Sequence, residues 1–235
     1  MLNDFLATLP NKDLQAIEPW LEPIALERGR VLWETGDTRR YLYFPTTAVI
    51  YLLYETSDGL SAEIGMIGRR GIAGLTSIVG GAEELARAVV EREGKGFRLE
   101  SARARAEFAK GGSFQDLMLC FTQSLINQIS LMAVCNRLHS IDKRLCRWLL
   151  RNQDSQQRGI FEATQAQIAT ILGVRRESIS VTVSRLEQQG LINGSRGKIK
   201  ILDQDGVEAI ACECYVTMKM LHDKMISSYL SSRPT

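Results

Sequence analysis

The spacing of apolar and polar residues changes several times along the chain, and each change predicts a different kind of structure. Residues 4–22 read as a short helical lead-in, with apolar positions at Leu14, Ile17 and Leu21. From about 24 to 101 the pattern breaks into short apolar runs: Val31–Trp33, Tyr41–Phe44, Ala48–Tyr54 and Ala88–Val90. Between them lie the turn signals Glu27-Arg28-Gly29, Thr35-Gly36-Asp37, Ser57-Asp58-Gly59, Gly68 to Gly71 and Gly80-Gly81. Short strands at such intervals predict a β-sandwich or jelly roll rather than alternating β-α units. Residues 113–138 then lose glycine and proline altogether, and Phe114, Leu117, Phe121, Leu125, Ile129, Met132 and Cys135 step by three or four. That is one face of a long helix. Such a stripe needs a partner, either a second copy of the chain or the helix's own domain, and the dimer is the expectation carried forward.

Beyond residue 140 the helical pattern resumes. Ile141 to Leu150 is amphipathic, and a polar break follows from Asn152 to Gly159. Thr164 precedes a helical run and has Gln167 three residues on, the spacing of a capping box. Ile168, Ala169 and Leu172 give that helix an inner face whose small residue lets another helix cross closely, and Gly173 supplies a left-handed stop. A second helix follows from Arg175 to Gln189, with Ile179, Val183 and Leu186 inward and Arg176, Glu177, Ser180 and Val181 outward. Leu191 to Leu202 reads as strand, turn, strand with a basic tip. Two crossed helices and a basic hairpin predict a winged helix-turn-helix. Its second helix would present its N-terminal residues to base edges in the major groove. Residues 206–230 read as one further amphipathic helix, capped by Asp205, with Val207, Ile210, Met218, Leu221 and Met225 on its apolar face.

Charge sharpens this picture. The chain carries 29 Lys/Arg and 27 Asp/Glu, yet residues 141–200 hold 11 against 5. The basic excess coincides with the two crossed helices and hairpin, which suits a polyanion surface. Arginine pairs bidentately with guanine and glutamate accepts from cytosine, so Arg176 and Glu177 are the first candidates for base reading, with Ser180 and Arg185 beside them. Thr164, Gln165, Arg175, Ser178, Arg196, Lys198 and Lys200 are candidates for phosphate contacts. Two histidines, His139 and His222, and five cysteines without CxxC spacing predict neither a catalytic triad nor a metal site. Cys120, Cys135 and Cys146 read as buried structural thiols, with oxidation sensing as the alternative. No secretory leader pattern and no membrane-length apolar run is read from the sequence, so a cytoplasmic protein is expected. No G-x-G-x-x-G or P-loop string is present.

The run from Thr164 to Ile192 resembles the Crp/Fnr superfamily: Thr-x-x-x-Ile-Ala, then Leu-Gly-Val-x-Arg-Glu-Ser-Ile-Ser, then Leu-Glu-x-x-Gly-Leu-Ile. The resemblance implies an α+β chain in four parts. These are a cyclic-nucleotide-binding-like β-roll (double-stranded β-helix, residues 1–112), a dimerisation helix (113–138), a winged helix-turn-helix (139–206) and a C-terminal helix and tail (207–235). It implies a homodimeric, non-enzymatic transcription regulator on a two-fold-symmetric DNA operator, with RNA polymerase as a further partner and no membrane. It places the base-reading Arg-Glu pair on Arg176-Glu177, while the usual third arginine falls at Val181 and is missing. The phosphate-binding cassette of cAMP binders would fall on Gly71-Ile72-Ala73-Gly74-Leu75, which lacks the family's glutamate, and the later Arg-Ser pair is broken at Arg87. One adenine-contacting hydroxyl position falls on Ile129, and Ser130 survives beside it. Arg87 and Ser130 are therefore the residual effector candidates, and cAMP is not expected. Haem and an iron–sulfur cluster are not expected either, since residues 1–110 contain no histidine or cysteine. An unidentified small-molecule effector remains open. The rival reading is a cyclic-nucleotide-responsive signalling module whose basic domain contacts protein rather than DNA.

Overall fold

The computed structural model describes residues 2–38, 40–80, 84–155, 160–195 and 197–231. After a 3₁₀ turn, helix α1 (Asn11–Ile17) leads into strands β1 (Glu22–Leu26), β2 (Val31–Trp33), β3 (Tyr41–Pro45), β4 (Val49–Glu55) and β5 (Ser61–Ile67). A single helical turn, α2 (Thr76–Val79), precedes β6 (Arg87–Arg92) and β7 (Gly94–Glu100). Helices α3 (Ser101–Ala109), α4 (Ser113–Leu138) and α5 (Ile141–Asp154) follow. Then come β8 (Ile160–Glu162), α6 (Gln165–Leu172), α7 (Arg176–Gln188), β9 (Ile192–Ser195), β10 (Lys198–Ile201), α8 (Gln204–Ile210) and α9 (Cys214–Ser231).

The chain divides into two compact units. The first comprises Met1–Tyr54, Ile64–Asn127 and Leu221–Thr235, and the second Glu55–Glu63 and Gln128–Met220. In the first, the strands form sheets of order β1-β7-β3 and β2-β6-β4-β5, the jelly-roll expectation. Their pairings are antiparallel where register is defined, as in Phe44↔Phe97 and Tyr51↔Val89. Between them lies a core of Leu26, Trp33, Leu42, Phe44, Ile50 and Leu99. Trp33 meets the demand of its buried indole N–H by donating to the Ala86 carbonyl at 2.8 Å.

The limits of α4 are those the sequence predicts, but the stripe serves a different purpose. Phe114, Leu117 and Phe121 are buried in the core of the first unit, Leu125 packs against it, and Met132 is buried too. Of the six residues expected at a dimer seam, only Ile129 is exposed. The physical reason is that the β-roll needs a lid, and the large side chains at the start of α4 supply it. The opposite face carries Leu119 (46 % exposed), Ile126 (51 %) and Val134 (49 %), followed by Leu138. Contrary to the sequence reading, α4 is long and apolar enough, by length and composition alone, to cross a membrane. The same test is passed by helices of protein cores, and the first turns of α4 are packed into one.

The single helix expected over 206–230 is two helices. The side chain of Asp203, not Asp205, caps α8 by accepting from the Gly206 N–H at 3.0 Å, and the chain breaks at 211–213 before α9 begins.

Candidate nucleic-acid interface

Within the second unit, α6 begins as its sequence dictates. Thr164 Oγ1 accepts from the Gln167 N–H at 3.2 Å, while Gln167 Oε1 accepts from the Thr164 N–H at 2.8 Å. The capping box satisfies two amides that the helix start would otherwise leave unpaired. Gly173 ends α6 at φ 61°, ψ 46°, a left-handed conformation glycine adopts without a Cβ penalty. The buried guanidinium of Arg144, on α5, donates to the Leu172 carbonyl at the same end, where the helix dipole favours a cation. Ile168, Ala169, Ile171 and Leu172 of α6 and Ile179, Thr182, Val183 and Leu186 of α7 are all buried. The helix-turn-helix is thus fixed by packing on one side, and its other side is free for recognition.

That outer side carries the candidates. Arg175, Arg176 and Glu177 are exposed at the start of α7, Ser178 and Ser180 are half-buried, and Val181 is exposed. Arg175 is the N-cap but makes no side-chain capping bond, so no capping side chain stands between the start of α7 and an incoming phosphate. Arg185 is differently placed: its guanidinium is 2.5 Å from Asp142 Oδ2 on α5. A carboxylate partner opposes the base-reading role expected for it. The hydroxyl of Thr164 is likewise engaged within the capping box, while Gln165 is half-buried.

The wing is a sheet of order β8-β10-β9, with antiparallel register Lys198↔Ser195 and Ile201↔Ile192. Ile199 and Ile201 point inward and Lys198 and Lys200 outward, the alternation a half-buried strand requires. Lys198 Nζ lies 3.0 Å from Glu162 on the neighbouring strand, whereas Lys200 is exposed. Arg196 lies outside the described residues.

Arg87, in the first unit, pairs with Glu34 at 3.3 Å, and Ser130 is exposed on α4. Ile72, Ala73 and Leu75, where the cassette would fall, are buried in the apolar core.

A constellation missed from sequence lies elsewhere in the second unit. Cys135 and His139, one turn apart at the end of α4, meet Cys212 and Cys214 from the break between α8 and α9. The Sγ atoms of Cys135 and Cys212 are 3.4 Å apart. His139 Nδ1 is 3.3 Å from Cys135 Sγ and 3.6 Å from Cys214 Sγ. The i, i+4 spacing of Cys135 and His139 was a usable signal, because it puts both on one helix face. Cys146 is not part of this group; burial pushes its thiol up to about 12.

Comparison with known proteins agrees with this geometry. The family model for the Crp-like helix-turn-helix domain matches residues 143–210. A search of curated proteins gives no sequence match. Among solved structures, a Eubacterium rectale protein assigned to the crp/fnr family of transcriptional regulators superposes with TM-score 0.73 at 16 % identity, covering 87 % of this chain and 95 % of that one. FixK2 from Bradyrhizobium japonicum gives 0.70 at 12 % identity, covering 82 % and 98 %. A CRP/FNR-family transcriptional regulator from Thermus thermophilus gives 0.68 at 16 % identity, covering 81 % and 98 %. Residues 143–210 therefore match the Crp-like helix-turn-helix domain, in a chain whose fold is similar to that of solved Crp/Fnr transcription regulators.

Proposed function

We propose that the protein is a sequence-specific DNA-binding transcription regulator that acts as a homodimer on a two-fold-symmetric operator. The observation that carries this reading is the exposed, polar N-terminal face of α7, with Arg175, Arg176 and Glu177 presented from a helix-turn-helix whose other face is fully packed. Arg176 and Glu177 read bases, while Arg175, Gln165, Ser178, Lys198 and Lys200 hold the phosphate backbone. The dimer forms along α4 through the face bearing Leu119, Ile126, Ile129 and Val134, because its other face is occupied within the chain. A water-facing apolar stripe of this length is most simply covered by its own copy. The protein works in the cytoplasm and has no enzymatic role.

Direct response to cAMP is disfavoured. A cyclic phosphate needs a cationic and hydrogen-bonding cradle. The segment that would provide it is apolar and buried, and Arg87 is paired with Glu34. The test of the main reading is binding to random duplex DNA across a salt series. Counterion release makes DNA affinity fall linearly with salt on logarithmic axes, which contact with a protein partner does not reproduce. Binding to neither random nor selected duplex DNA would refute it.

A further inference from the structure

Three of the five cysteines converge with a histidine in the second unit. All four donor atoms, the Sγ of Cys135, Cys212 and Cys214 and a ring nitrogen of His139, lie within 4.8 Å of one another. A tetrahedral zinc with Zn–S of about 2.3 Å and Zn–N of about 2.0 Å has ligand edges of about 3.8 Å between sulfurs and about 3.5 Å from sulfur to nitrogen. The separations of 3.4, 3.3 and 3.6 Å match that scale. They suit a single ion, whereas an iron–sulfur cluster spreads its ligands over two or more irons.

Two other features support a metal. The far side of the imidazole is oriented by a carboxylate, with His139 Nε2 3.2 Å from Glu213 Oε1, which leaves Nδ1 to face the thiols as a ligand. A buried cation accompanies the cluster: Arg147 is 1 % exposed, and its Nε and Nη1 have no hydrogen-bond partner among the described residues. Its field favours ionised sulfur at Cys135 and Cys212. A buried guanidinium next to thiols stabilises the thiolates that a soft cation requires.

We propose that Cys135, His139, Cys212 and Cys214 form a closed Cys₃His site for one zinc ion, which clamps the end of α4 to the α8–α9 junction inside the second unit. Three thiolates and Zn²⁺ give the site a net charge of −1, which the guanidinium of Arg147 balances. Binding displaces the thiol protons to solvent, so affinity rises with pH. The site is independent of the DNA-binding reading and adds to it a metal requirement for the stability of this unit.

The experiment uses the full chain, purified under reducing conditions. Metal content is measured, the metal is removed with a chelator, and the protein is titrated with Co²⁺ and then Zn²⁺. The site predicts one Co²⁺ per chain, with thiolate-to-cobalt charge transfer and the intense ligand-field bands of tetrahedral coordination. Zn²⁺ should displace the Co²⁺ and raise the melting temperature. Cys120→Ser should keep full stoichiometry, Cys135→Ser and Cys212→Ser should abolish the bands, and Glu213→Gln should weaken affinity about 10- to 100-fold. Should the cysteine variants fail to fold, the wild-type titration still decides. A reduced, folded wild-type chain that takes up neither ion would overturn the proposal. So would weak octahedral bands, or unchanged binding in folded Cys135→Ser and Cys212→Ser. None of these readouts involves DNA, so failure of the metal site is distinct from failure of the regulator reading.

Discussion

Arg176→Ala is the substitution that separates recognition from folding most cleanly. Arg176 is exposed at the first position of α7, and the inner face of that helix is built from Ile179, Thr182, Val183 and Leu186. Its removal deprives the core of nothing, so stability should change by no more than about 0.5 kcal/mol. The loss in recognition should be far larger. A bidentate arginine–guanine contact contributes about 1–3 kcal/mol of discrimination, equivalent to roughly 5- to 150-fold between the right and wrong base. Competition binding by fluorescence anisotropy, with a selected operator, single-base variants and random duplex, measures that ratio directly. The expected result is collapse of discrimination at one base pair of each half-site, with the melting temperature nearly unchanged. Equal losses on operator and random DNA would refute the role, because they would make Arg176 a phosphate contact only.

Other substitutions probe neighbouring parts of the account. Lys200→Ala removes an exposed wing cation and should weaken binding to all sequences alike, lowering the slope of log affinity against log salt by about 1; a base-specific effect would count against it. Arg185→Ala should alter base preference less than Arg176→Ala, because Arg185 is held by Asp142, and the same anisotropy competition checks it. Ile126→Glu should shift the chain from dimer to monomer in sedimentation while preserving its fold, since Ile126 is solvent-facing in the single chain. Phe121→Ala should instead destabilise the first unit by about 3–5 kcal/mol in denaturant unfolding. Thr164→Ala should cost about 0.5–2 kcal/mol through loss of the capping box, measured the same way.

The recognition element was legible because its signals are local. A cap, a glycine stop and two apolar faces lie within a few residues of one another, and Thr164, Gly173 and Ile179 take the roles their chemistry assigns. The course of α4 was equally plain, because Gly111 and Gly112 precede an uninterrupted helical period. Which face of α4 meets which partner was not legible. Both faces carry apolar residues, and periodicity cannot say that the β-roll claims Phe114 and Phe121 while Ile126 is left outside. The pairing of Arg185 with Asp142 was hidden for the same reason, since it joins two helices distant in sequence. The thiol cluster was the deepest omission. Cys135 and Cys212 are 77 residues apart, and Cys212-Glu-Cys214 is too short for the commoner zinc spacing. The cluster exists only once the end of α4 and the α8–α9 junction are folded together.

The central claim is that α7 reads DNA as one half of a symmetric pair, and selection of bound duplexes from a random pool tests it most directly. Enrichment of an inverted repeat whose half-sites lie about one helical turn apart is expected, and the Arg176→Ala variant should lose it. A bound pool with no common sequence, or with a single unpaired half-site, would contradict it.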